Sequence, residues 1–105
     1  MRAREHAPLK HASHQTLDLI EPLLDQLRGF GELVERKRGI WYHRSRAFLH
    51  FHEDPAGVFA DLKIGPAFRR FRVNTARERR ELLRHVEQTL ASSSASEPAR
   101  RPTTL

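Results

Sequence analysis

Two alternating segments joined by a short turn motif constrain the fold of this chain more than any other feature. Residues 47–52 and 58–64 each place apolar side chains at every second position, which is the period of a strand with two different faces. Between them, residues 54–57 have the sequence Asp-Pro-Ala-Gly. The ring of Pro55 fixes its φ at a negative value, whereas Gly57 can adopt a positive φ. The pattern therefore predicts an antiparallel hairpin closed by these four residues.

The register of this hairpin follows from its side-chain pattern. A pairing of Glu53 with Val58 places apolar residues opposite one another on one face of the two strands. The pairs expected on the other face are His52 with Phe59, His50 with Asp61, and Phe48 with Lys63. A shift by one residue would bring Asp61 and Lys63 onto the apolar face, so the pattern selects this register.

A helical pattern precedes the hairpin. Residues 14–29 carry apolar side chains at three- and four-residue steps, which is typical of an amphipathic helix. Ser13 or Thr16 fits its N-cap. If the helix starts this early, Pro22 should kink it, because proline lacks the backbone donor that an interior turn uses. A later start at Asp18 would instead place Pro22 near the first turn.

A second helix and three short strands complete the predicted elements. Thr75 and Glu78 match a capping box, and the apolar stripe that follows continues to Leu90. The short strands are expected at residues 32–38, 40–43 and 68–74. The result is an α+β fold in which a helix, four or five antiparallel strands and a helix follow one another. The simplest packing lays both helices on one face of the sheet, as a two-layer sandwich.

The ends of the chain differ in composition from its middle. Residues 1–13 are predicted to be a flexible basic arm, residues 14–91 a single domain, and residues 92–105 a disordered tail rich in Ser, Pro and Arg. No apolar run approaches the roughly 20 residues that a membrane-spanning helix needs. Because the sequence contains no cysteine, disulfide and thiolate chemistry are excluded. A cytoplasmic protein without membrane contact is therefore expected.

The charge of the chain points to an anionic partner. The formal net charge is +6, and only three of the 19 basic residues are lysine. Arginine suits bidentate contact with phosphate or carboxylate, so nucleic acid or an acidic protein is the expected partner. The candidates for one basic patch at the edge of the sheet are Arg36, Lys37, Arg38, Arg44 and Arg46. A second basic group contains Arg69, Arg70, Arg72, Arg77, Arg79, Arg80 and Arg84.

The aromatic residues allow two interpretations. Candidate stacking surfaces for unpaired bases are Trp41, Tyr42 and Phe48. The alternative assigns Trp41, Phe51, Phe68 and Phe71 to the core. A sheet with further aromatic residues on its outer face also predicts a homodimer formed through that face.

Two histidines on one strand give the strongest chemical signal. His50 and His52 are two residues apart, so both point to one face of the strand, where Asp61 lies opposite His50. This group is a candidate site for zinc or a similar transition metal. A His–Asp pair with a purely structural role, without any cofactor, is the favoured interpretation, and a functional pocket without metal is a further alternative to the metal site.

The sequence assigns no catalytic residue. A His beside an Asp is the minimal general-base unit. However, the sequence contains no nucleophile elbow, phosphate loop or dinucleotide fingerprint. A small binding or interaction domain is therefore expected rather than an enzyme. The alternatives are a metal-binding protein or metal-dependent hydrolase that uses His50 and His52, and a nucleic-acid binder that uses the Arg-rich edge.

One set of motifs resembles known proteins. Residues 48–54 have the sequence Phe-Leu-His-Phe-His-Glu-Asp, and residues 59–61, 71–73, Thr75 and Glu78 follow in the same pattern. On roughly residues 16–90 the chain resembles small bacterial proteins that share this core and have no established activity. The order of elements is similar to that of YjbR (MmcQ-like) domains, for which DNA binding has been proposed. The resemblance implies a small sheet followed by a helix, and it transfers no site residue to this chain.

Overall fold

The chain forms one antiparallel sheet with helical segments before and after the main strands. The computed structural model describes residues 10–95, with side chains as far as residue 93. The elements are β1 (Lys10–His11), α1 (His14–Leu19), α2 (Glu21–Arg28), β2 (Leu33–Lys37), β3 (Ile40–His43), β4 (Arg46–Asp54), β5 (Gly57–Ile64), β6 (Ala67–Arg72) and α3 (Ala76–Ala95). The strand order is β2-β3-β4-β5-β6, and β1 pairs with β4. The predicted α+β class is confirmed.

The predicted register of the central hairpin is confirmed. The observed pairs between β4 and β5 include Leu49–Leu62, His50–Asp61, Phe51–Ala60, His52–Phe59 and Glu53–Val58. Asp54 also pairs with Gly57, which shortens the loop to two residues. Gly57 has a φ of +137°, and a Cβ there would lie 2.8 Å from the Asn74 amide. Because that amide accepts a hydrogen bond from the Val58 N–H (2.8 Å), position 57 requires glycine.

Phe48 lies on the opposite side of the sheet from the one predicted. Trp41 pairs with Leu49, whereas the next residue, Tyr42, pairs with Ala47, so Phe48 is an extra residue in β4. Such a β-bulge interrupts the regular alternation of side chains. Phe48 is 4% exposed and belongs to the hydrophobic core. Its expected place on the outer face is therefore wrong.

The first predicted helix is broken into two. Ser13 is the N-cap of α1, where its Oγ accepts a hydrogen bond from the Thr16 N–H at 3.2 Å. The helix stops at Ile20, and α2 starts immediately afterwards with Pro22 in its first turn. This position tolerates proline because the first N–H groups of a helix have no intrahelical partner. The early start is confirmed, and the kink predicted at Pro22 is instead a complete break at Ile20, two residues before it.

The ends of the ordered domain differ from those predicted. Lys10 and His11 form β1, and Ala12 is 2% exposed, so the arm predicted over residues 1–13 is wrong at its C-terminal end. At the other end, α3 continues past Leu90 to Ala95, inside the tail predicted for residues 92–105. Residues 1–9 and 96–105 lie outside the part of the chain that the structure describes.

One hydrophobic cluster joins the helices to the sheet. It contains Leu17 and Leu24 from α1 and α2, Phe51 and Leu62 from the sheet, and Val86 from α3, each at most 1% exposed. The sheet residues in the cluster alternate with a second set of side chains that does not belong to it. Among residues 10–95, no helix combines the length and the apolar character needed to cross a membrane.

Candidate functional site on the outer face of the sheet

The candidate site is the sheet surface whose side chains alternate with the core residues. We call it the outer face and define it as Arg36, Tyr42, His50, His52, Phe59, Asp61, Lys63, Phe68, Arg70 and Arg72. None of these residues belongs to the hydrophobic cluster. The core position expected for Phe68 is wrong, because this side chain is 43% exposed. Its pairing with Lys63 places it on this face, and the sequence alternation of β5 and β6 could have revealed that.

A buried carboxylate lies at the centre of the outer face. Asp61 is 8% exposed and is held by Arg70 through two hydrogen bonds, from Nε to Oδ1 (2.8 Å) and from Nη2 to Oδ2 (2.9 Å). Burial by itself raises the pKa of Asp61, but the hydrogen bonds and charge of Arg70 outweigh it and bring the pKa below its usual range. Asp61 is therefore ionised and paired at neutral pH.

The two histidines form a chain of contacts that ends at Asp61. His50 Nδ1 lies 3.0 Å from His52 Nε2, which in turn lies 3.3 Å from Asp61 Oδ2. Burial lowers the pKa of both histidines, so both rings are neutral at pH 7. Because a carboxylate only accepts hydrogen bonds, we assign the ring proton of His52 to Nε2.

His52 carries a buried nitrogen that lacks a partner. Its Nδ1 forms no hydrogen bond with any of the described residues. Burial lowers the pKa of His52, and the Lys10 backbone on the neighbouring β1 partly opposes this effect. The ring is also packed edge-on against His50, with centroids 5.1 Å apart. The position of His52 is thus fixed by packing, by the contacts of Nε2 and by the neighbouring β1 backbone.

The same three side chains have the donor atoms of a metal site. One ligand atom each from His50, His52 and Asp61 lies within 4.8 Å of the other two. However, Arg70 already occupies both carboxylate oxygens and places a cation beside them. A metal ion would have to share Asp61 with this cation or displace it. The arrangement present is a neutralised ion pair with two neutral imidazoles.

Cationic groups lie over aromatic rings across the outer face. The Arg36 guanidinium lies 4.6 Å from the centre of the Tyr42 ring, and Arg72 lies 5.3 Å from that of Phe59. A third pair joins Lys63 to Phe68, at 5.5 Å. The Phe68 ring also contacts His50, at 5.0 Å between centroids. The face therefore combines flat π-surfaces with fixed positive charge.

The basic patch predicted at one edge of the sheet does not form as expected. Arg38 turns towards the helices and binds Asp18 (2.9 Å) and Glu21 (2.7 Å). Lys37 and Arg38 lie at the β2–β3 turn, whereas Arg44 and Arg46 lie at the other end of β3. The patch is therefore divided into two separate regions. Arg70 and Arg72, from the second predicted group, are the two that lie on the outer face.

Two of the three predicted stacking residues are buried. Trp41 is 1% exposed and Phe48 is 4% exposed, so neither can stack on a base. Trp41 packs edge-on against Phe51 with centroids 5.9 Å apart. Only Tyr42 remains accessible, and the structure adds Phe59 and Phe68 as accessible rings. The sequence identifies the residue types but not the rings that face outward.

No protein-family model, curated protein or solved structure matches the chain. The resemblance to small bacterial proteins with the Phe-Leu-His-Phe-His-Glu-Asp core, and to the element order of YjbR-like domains, therefore stays a prediction.

Proposed function

We propose that this chain is a binding domain that holds an anionic partner, most specifically a single-stranded nucleic acid, on the outer face of its sheet. The observation that carries the proposal is the set of three cation–aromatic pairs on that face. The proposal includes the expected two-layer arrangement, with the helices on the other side of the sheet. It is supported by the single cluster that unites helix residues with the opposite set of sheet residues.

The charge balance of the outer face favours an anion. Arg36, Lys63 and Arg72 each carry a positive charge beside a ring. The carboxylate of Asp61 is already neutralised by Arg70, and Asp54 accepts a hydrogen bond from Ala56 in the β4–β5 turn. Glu78 lies 3.6 Å from Arg72 and offsets part of its charge, but no acidic partner of this kind is seen for Arg36 or Lys63 among the described residues. Cations therefore prevail over the acidic groups of this face. A second copy of the chain would bring like charges together, which disfavours a homodimer through the same surface.

The rings favour a nucleic acid over other anions. Every base has a π-face, so unpaired bases can stack on aromatic rings or on the planar guanidinium groups that lie over them. Each base of a strand comes with a phosphate, as each of these three rings comes with a cation. An acidic protein surface would use the cations but would gain nothing comparable from Phe59 and Phe68.

The proposal is tested by fluorescence anisotropy with a labelled single-stranded oligonucleotide of about 12 nucleotides, as DNA and as RNA. With about four phosphate contacts, affinity should fall about 50-fold between about 50 and 200 mM salt, because binding releases counterions. Phe59→Ala and Phe68→Ala should each weaken binding about tenfold through lost stacking. Arg72→Ala should weaken binding and make it less dependent on salt.

Arg80→Ala provides the matched control, because Arg80 is an exposed arginine of α3 away from the outer face. It should bind as the parent does. The nucleic-acid proposal is contradicted if binding is absent or independent of salt. It is also contradicted if an acidic peptide competes equally while Phe59→Ala and Phe68→Ala have no effect. A homodimer in light scattering that Phe68→Ala dissociates would show that the face serves self-association instead.

A second candidate function is zinc binding, favoured by the close approach of ligand atoms from His50, His52 and Asp61. If Arg70 competes with the metal for Asp61, Arg70→Ala should bind zinc more tightly than the parent does. Titration by thermal shift and by the histidine ring NMR signals measures this. His50→Ala and His52→Ala should abolish the effect, while His14→Ala, on exposed α1, should preserve it. Unchanged zinc binding in His50→Ala and His52→Ala would reject this site.

A further inference from the structure

A cleft lies at one end of the sheet, beside the C-terminal half of α3. Its volume is about 920 Å³, within the range of small-molecule pockets. It is lined by residues from the β3–β4 turn, the end of β5, the start of β6 and α3. Of the outer-face residues only Lys63 lines it, and none of the outer-face rings does, so the cleft adjoins the proposed nucleic-acid surface without including its rings.

The lining of the cleft is strongly basic. Arg44, Arg46, Lys63 and Arg69 contribute to it, and none of its lining residues is acidic. The Arg69 guanidinium lies 4.7 Å from the centre of the Phe71 ring, and this contact fixes its position. Such a concentration of cations in a concave surface attracts an anion more strongly than the same charges would on a flat surface.

One acidic group close to the cleft, Glu81, is engaged elsewhere. Glu81, one turn before the lining residue His85 on α3, accepts a hydrogen bond from Arg84 at 2.6 Å. The same Glu81 oxygen lies 3.1 Å from His85 Nε2. His85 is also packed against Phe71, at 5.0 Å between ring centroids. The Glu81 carboxylate is therefore already paired and does not compete for the cations of the cleft.

The remaining lining indicates the shape of the ligand. Phe48 and Ile64 supply an apolar floor, where the β-bulge turns Phe48 inward. Phe48 is fixed there by an edge-on contact with His43, at 5.5 Å between centroids. Thr89 and Ser92 add hydroxyl groups from α3. A ligand that fits must combine an anionic group with an apolar body.

We propose that this cleft binds a phosphorylated small molecule with a flat apolar body, of the size of a mononucleotide. Its phosphate meets the guanidinium groups of Arg46 and Arg69, which suit the geometry of phosphate oxygens. Its body lies against Ala47 and Ile64, the accessible apolar side chains of the lining, above the buried Phe48. Its polar edge meets the hydroxyl groups of α3. This site goes beyond the proposed function, because it takes a monomeric ligand and shares only Lys63 with the outer face.

The test is calorimetric titration of the full chain with adenosine 5′-monophosphate as the probe, together with amide NMR shifts. Binding should perturb His85 and Ser92, and uncharged adenosine should bind at least about tenfold more weakly, since it lacks the charge-assisted contacts. Arg46→Gln and Arg69→Gln should each weaken binding about tenfold. Arg80→Gln, an exposed α3 arginine outside the cleft, should have no effect.

The two binding proposals fail independently. If Arg72→Ala or Phe59→Ala weakens binding of the monophosphate while Arg46→Gln and Arg69→Gln do not, the ligand binds the outer face and the cleft proposal is wrong. Equal binding of adenosine, an equal loss in Arg80→Gln, or no binding at millimolar concentration would also overturn it. Loss of oligonucleotide binding in outer-face variants with unchanged monophosphate binding would support both sites.

Discussion

Replacing Trp41 with alanine is expected to lower the free energy of unfolding by about 3 to 5 kcal/mol. Trp41 is 1% exposed and packs against Phe51 in the centre of the cluster that joins the helices to the sheet. The substitution removes buried apolar surface and leaves a cavity. A domain of this size has only about 5 to 15 kcal/mol of stability, so the variant should be close to unfolding at 37 °C. Urea denaturation followed by circular dichroism measures the change.

Tyr42→Ala is the matched control for Trp41→Ala. Tyr42 is the next residue of β3 but points to the outer face, where its ring contacts Arg36. Its loss should cost about 1 kcal/mol or less, as is usual for residues outside the core. If Trp41→Ala were no more destabilising than Tyr42→Ala, Trp41 would not be a core residue. The prediction that Trp41 is a stacking ring on the surface would then be favoured.

Replacing Arg70 with alanine is expected to destabilise the protein by about 2 kcal/mol. Breaking one side of a buried ion pair costs about 3 to 5 kcal/mol, because the other charge is left without compensation. We expect less here because the Arg70 side chain is 51% exposed, although that of Asp61 is only 12% exposed. His52 contacts the same carboxylate but does not replace a cation, because its ring is neutral at pH 7.

Arg72→Ala is the control for Arg70→Ala. Arg72 lies on the same strand and points outward, with 53% of its side chain exposed. Its Nε lies 3.6 Å from Glu78 Oε2. Such exposed pairs contribute at most about 1 kcal/mol.

In a double-mutant cycle, Asp61→Ala and Arg70→Ala together should cost clearly less than the sum of the single changes. Additive costs would show that the two side chains are not coupled.

The cost of Arg70→Ala should depend on pH in a definite direction. In the parent the pKa of Asp61 is lowered, so its ionised form stabilises the fold above the unfolded pKa, and this contribution is lost as pH falls through the folded pKa. Without Arg70, burial is the dominant influence on Asp61, opposed only by the smaller effects of His52 and His50, and it raises the pKa of this carboxyl. The variant then gains stability relative to the parent as pH falls from 7 towards 4. A cost that stays constant over this range would contradict the assignment of Asp61 as the uncompensated charge.

The central hairpin shows what local sequence can predict. The apolar faces of the two strands and the Asp-Pro-Ala-Gly turn select the same register, so the sequence alone is enough to group His50 with Asp61. The charge of Arg70 marks it as a candidate binding residue, but its bidentate contact with Asp61 depends on the pairing of β5 with β6. The alternation of side chains does not specify the register of that pair of strands. The observed register brings Arg70 to Asp61, so the carboxylate of the candidate metal site is part of a neutralised ion pair.

Local sequence accounts for the type of most elements, the break near Pro22, the capping box before α3 and the register of the central hairpin. These features depend on residues close in the chain or on strict alternation, where a wrong assignment would bury charge. Other features are decided only by how the elements pair and pack: a bulge between β3 and β4 turns Phe48 into the core, Arg38 forms ion pairs with Asp18 and Glu21, and basic residues from three strands and a turn line a cleft beside α3. Each depends on contacts between elements, and the local side-chain pattern does not identify the partners of these contacts.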